Sequence, residues 1–95
     1  MSDLEVVVTF AHGARKALTR ITLDDGDPEY ELACTWIMAC ERAVAYGASA
    51  RLVVTNHDCG RSVVLCYPPL SAAERARSDD AHPRSFREAL AMLGR

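Results

Sequence analysis

The chain has 95 residues, 49% apolar and 25% charged, which is material for one hydrophobic core and too little length for two. Its net charge of −2 gives no basis for non-specific nucleic-acid binding, which depends on neutralising phosphates. No apolar run approaches the roughly 20 residues that cross a bilayer. The acidic start Met1-Ser2-Asp3-Leu4-Glu5 lacks the basic and apolar stretches of a secretory signal. The expectation is one soluble, cytoplasmic domain over residues 1–95, with Cys34, Cys40, Cys59 and Cys66 as reduced thiols. Ten of the eleven basic residues are arginine, a bias that points to a GC-rich genome, bacterial or phage.

Leu4 to Phe10 alternates as a strand does, with Leu4, Val6, Val8 and Phe10 on one side. Ala17 to Leu23 repeats the pattern. The short glycine-containing link from Ala11 to Lys16 makes the two a hairpin. The acidic turn Asp24-Asp25-Gly26-Asp27 then stops the sheet. Asp27 serves as N-cap, Pro28 takes the first helical position where a missing N–H costs nothing, and Glu29 and Glu31 follow where the helix dipole favours anions. The helix is expected from Pro28 to about Tyr46, with Gly47 as its stop.

At about 100° per residue, Tyr30, Ala33, Ile37, Cys40 and Val44 fall on one stripe, which Leu32, Trp36 and Ala43 widen. A stripe that wide predicts a second cover besides the sheet, either the C-terminal helix or another copy of the chain in a homodimer. Arg51 to Thr55 and Ser62 to Tyr67 form a second hairpin around the loop Asn56 to Arg61, and Pro68-Pro69 ends it. Ser71 and Glu74 form a capping box for a short polar helix. Pro83 opens a last helix carrying Phe86, Ala89, Leu90 and Leu93 on one side, with Gly94 as its stop.

The fold class is therefore α+β, a ββα-ββα(α) two-layer sandwich. Its sheet has four strands, mixed or antiparallel, with one long central helix and a C-terminal helix. Val7-Val8-Thr9 precedes Arg15 by the spacing at which Val53-Val54-Thr55 precedes Arg61, a match that suggests a duplicated ββα unit with pseudo-twofold character. The alternating chain direction places the acidic turn and the Asn56 to Arg61 loop at one end of the sheet. His12, Arg15 and Lys16 share the other end with Gly47 and Tyr67-Pro68.

The most site-like tripeptide is His57-Asp58-Cys59, since imidazole, carboxylate and thiol can ligate a metal or pair a nucleophile with a base. Cys59 and Cys66 lie most of a strand apart, roughly 20 Å at 3.3 Å per residue, so they do not share an ion. Cys34 and Cys40 point to different sides of the helix. No metal and no cofactor is expected on these grounds, and a metal or thiol site at His57 and Cys59 stands as the alternative reading. The chain has no glycine-rich phosphate loop, no nucleophile elbow and no HExxH motif, so it is not read as an enzyme. Glu41, beside the apolar stripe, is read as salt-bridging an arginine at the helix edge, and His12 and His82 as solvated.

Arg15, Lys16 and Arg20 on the first hairpin and Arg51 and Arg61 on the second offer a further alternative, a nucleic-acid accessory domain. Only 6% of the chain is aromatic, which leaves few bases' worth of stacking surface. The densest charge cluster is acidic: Asp24, Asp25, Asp27, Glu29 and Glu31, with Asp58 brought near by the fold. The reading is a small non-enzymatic protein-binding domain, an inhibitor or accessory factor that docks this acidic surface on a basic, nucleic-acid-handling protein partner.

Overall fold

The computed structural model describes residues 4–13, 15–23 and 26–94. The strands are β1 (Leu4–His12), β2 (Arg15–Thr22), β3 (Ser49–Asn56) and β4 (Arg61–Tyr67), and the helices α1 (Pro28–Tyr46), α2 (Ala72–Arg77) and α3 (Phe86–Met92). The four strands form one sheet in the order β2-β1-β3-β4, antiparallel throughout. This is the α+β sandwich that the two hairpins and the long helix predict. Both hairpins extend a residue or more beyond their alternating segments, because backbone pairing continues where side-chain patterning stops.

The strand alternation decides which side of the sheet meets the helices. Leu4, Val6 and Val8 of β1, Ala50, Leu52 and Val54 of β3, and Val63 of β4 are buried on the α1 side. Burying a side chain of this kind contributes about 1.5–3 kcal/mol. α3 adds Ala89, Leu90 and the following Leu93 to the same core, and Phe86 packs against it. Arg51, Val53 and Thr55 point to the opposite side, and the Val64 N–H holds the 78–82 segment along the outer edge of β4. Arg51 reaches Asp80 at 3.2 Å.

α1 forms where predicted. The Asp27 side chain accepts from the Tyr30 N–H at 3.2 Å, and Gly47 ends the helix with φ of 61°, a conformation that favours glycine. Its buried side takes the residues that widened the expected stripe, Leu32, Trp36 and Ala43, and not the central row. The residues against the sheet are Leu32, Ala39 and Ala43, with Trp36 partly buried, whereas Tyr30, Ile37 and Val44 point outward. Two of the inward residues are small alanines, so Leu32 and Trp36 supply most of the bulk on that side. Glu41 is exposed on that outward side, and no ion pair to it is seen among the described residues.

The last helix starts later than Pro83, with Ser85 as N-cap, its side chain accepting from the Glu88 N–H at 3.0 Å. The Ser71–Glu74 capping box is present in both directions, each hydrogen bond at 3.1 Å. The two hairpins meet at the centre of the sheet, where Val7 pairs directly with Val53. These residues stand at equivalent places in the matched segments, so an approximate two-fold axis passes between them and relates β1 to β3.

Candidate functional site

The acidic end is built on the sheet's edge-to-edge hydrogen bonding. Leu23 donates its N–H to the Leu4 carbonyl at 3.1 Å, and Leu4 is the register partner of Asn56. The turn before α1 and the β3–β4 loop therefore flank the start of β1. Asp27, Glu29, Glu31 and Asp58 belong to this end, while Asp24 and Asp25 lie outside the described residues.

The four described carboxylates do different things. Asp27 caps α1, which occupies one of its oxygens. Glu29 and Asp58 are exposed, and Glu31 is half-buried. Asp58 is held by its backbone, whose N–H donates to Asn56 Oδ1 at 3.0 Å, so its position is fixed while its carboxylate faces water. Tyr30 stands among them. The Cys34 thiol hydrogen-bonded to it pushes its phenol upward, and the Glu31 and Asp27 charges add to the shift.

The tripeptide His57-Asp58-Cys59 is exposed, and its imidazole and thiol turn to different neighbours. His57 Nε2 lies 3.3 Å from Glu5 Oε1, and the other Glu5 oxygen lies 3.5 Å from Arg20 Nη1. The Cys59 thiol approaches the Leu93 carbonyl at 3.5 Å. Among the described residues no group of three histidine, cysteine or carboxylate side chains could hold a metal ion. His82 differs from its solvated reading: it is half-buried, with Nε2 2.9 Å from Ser78 Oγ. Of the basic residues, Arg20 and Arg51 are engaged by Glu5 and Asp80, which interrupts the hairpin cations as a continuous surface.

Two surface features were at most partly legible in the sequence. One is the outward side of α1, where Tyr30, Ile37, Met38 and Val44 are 64%, 54%, 64% and 63% exposed. The heptad spacing of Tyr30, Ile37 and Val44 was visible, but it marks the free side of the helix and not the core. The other is an apolar groove of about 260 Å³ between β2 and α1, lined by Phe10, Thr19, Ile21, Met38, Ala39 and Arg42. A second groove, of about 400 Å³, runs along β4 and includes Trp36, Tyr67, Arg75, His82 and Arg84. Comparison of the chain with protein families, curated proteins and solved structures finds no match.

Proposed function

We propose that the protein is a small, non-enzymatic binding domain of the cytoplasm, an inhibitor or accessory factor that acts by docking on a basic, nucleic-acid-handling protein. The observation that carries this reading is the outward row of α1. Large apolar side chains left in water over several turns of one helix are characteristic of contact surfaces. The row ends at Tyr30, beside Asp27, Glu29 and Glu31, so an apolar centre adjoins a carboxylate rim. That combination suits a partner with an apolar patch bordered by arginine or lysine, and the rim charge speeds association by steering. The separate engagements of His57 and Cys59 support a role without catalysis.

The test uses partners captured from source-cell lysate and then purified. Glu29→Lys with Asp58→Lys spares the Asp27 cap and should slow association about ten-fold at low salt, with thermal stability unchanged. Ile37→Asp should weaken the complex chiefly through faster dissociation. If both variants bind as wild type does, the surface is wrong. If light scattering shows a homodimer that Ile37→Asp dissociates, a second copy occupies the row instead.

A further inference from the structure

The two edges of the sheet are finished differently. On β4 the Val64 N–H points away from β3 and donates to the Ala81 carbonyl at 2.8 Å, and α3 packs beside the strand. On β2 all eight residues are exposed. The phase of its hydrogen bonding follows from the Leu23–Leu4 bond, because antiparallel residues alternate between facing the neighbour and facing away. Ala17, Thr19 and Ile21 thus turn their amides to β1, and Lys16, Leu18, Arg20 and Thr22 turn theirs outward. No partner for those outward amides is found among the described residues. An open edge of this length is a template for another strand.

The surroundings specify what kind of strand. On the α1 side, Ile21 and Thr19 border the groove completed by Phe10 and Met38. Across the sheet, Lys16, Leu18 and Arg20 are exposed, and Arg15 stands at the end of the strand. Arg42 lies over the Phe10 ring at 6.0 Å, so the groove itself has a cation at its rim. Glu5, shared by Arg20 and His57, is the one carboxylate that the described contacts bring to this edge.

We propose that β2 is a docking strand for an extended acidic segment of a partner protein. The segment adds to the sheet as a fifth strand. Its apolar side chains face the β2–α1 groove, and its carboxylates face Lys16 and compete with Glu5 for the exposed Arg20. A second copy of this chain fits worse, because pairing β2 with itself about Leu18 sets Lys16 opposite Arg20 of the other copy, and like charges directly across strands repel. This contact uses the β2 edge and not the acidic carboxylates, and it does not depend on the function proposed above.

The test titrates the isotope-labelled protein with a synthetic peptide of about eight residues, a common strand length, alternating valine and aspartate. The comparison probes are a valine–lysine peptide and a short oligothymidylate. The valine–aspartate peptide should bind at least about ten-fold tighter than the valine–lysine peptide, or roughly 1.4 kcal/mol. It should also slow amide exchange at Lys16, Leu18, Arg20 and Thr22 more than at Ala17, Thr19 and Ile21. Leu18→Pro removes one outward donor, a substitution tolerated on strand edges, and should abolish that protection. Lys16→Glu with Arg20→Glu leaves the backbone intact and should invert the preference between the two peptides. Equal binding of both peptides, protection confined to other residues, tighter binding of the oligothymidylate, or an unchanged preference in the double variant would overturn the proposal.

Discussion

The Asn56 side chain donates its amide N–H to the Leu93 carbonyl at 2.8 Å, joining the end of β3 to the end of α3 across 37 positions of sequence. Asn56 is 5% exposed, and its own oxygen accepts from the Asp58 N–H. One side chain thus closes two backbone gaps, at the C-terminus of a helix and at the start of a loop. Asn56→Ala leaves both backbone groups without this partner and should cost about 1–3 kcal/mol. Chemical denaturation measures it. A loss under about 0.5 kcal/mol, the range of ordinary surface changes, would show that water replaces the amide.

Leu32 and Ile37 test which side of α1 is the core. Leu32 is fully buried and Ile37 is 54% exposed. Leu32→Ala should destabilise by about 2–5 kcal/mol, whereas Ile37→Ala should stay within about 0.5 kcal/mol. The reverse order in matched denaturation curves would place the core on the Ile37 side of the helix.

The thiols should react in an order set by burial. Burial pushes the Cys40 and Cys66 thiols up, with Arg51 partly opposing the shift at Cys66. Since the thiolate is the reactive form, both should be modified slowly at mildly alkaline pH, while the exposed Cys59 reacts first. Mass mapping of partly modified protein gives the order, and denaturant should remove the differences. Equal rates in the folded protein would contradict the burial of Cys40 and Cys66.

The α2 cap should be pH-dependent. Hydrogen bonds from the Ser71 backbone and side chain hold the Glu74 carboxyl below its ordinary value. A carboxylate with a lowered folded value contributes stability above its unfolded value and loses it as pH falls through the folded one. Amide signals of residues 72–77 should therefore report fraying of α2 in acid, and Glu74→Gln should flatten that dependence. An identical acid profile in the variant would assign the change to another group.

Much of the architecture was legible because its signals are local. Asp27, Pro28 and Gly47 mark both ends of α1, and Ser71 with Glu74 marks the start of α2. The side of α1 that faces inward was legible only in part: Leu32, Trp36 and Ala43 belonged to the wide stripe, but its central row of Tyr30, Ile37 and Val44 faces outward and Ala39 was missed. Ala39 is too small to stand out in a hydrophobic pattern, yet it is buried against the core. The acidic end could be assembled from chain direction, and the described part of it lies where that reasoning put it. The open β2 edge could not, since a strand's alternation does not reveal whether it has one neighbour or two. The β1–β3 adjacency that leaves β2 outermost is set by pairings distant in sequence.

The central Val7–Val53 pair also shapes how the chain acquires its structure. Each hairpin can close locally, on a timescale of about 1–10 μs, but a lone hairpin is marginal in water. Neither half completes a buried face by itself, because the core side chains of β1 and β3 lie side by side on either side of that pair. Folding therefore waits on the encounter of two separately formed halves, with α1 carried in the intervening loop. Substitutions at the β1–β3 seam should slow folding, while those in the outer strands should mainly quicken unfolding.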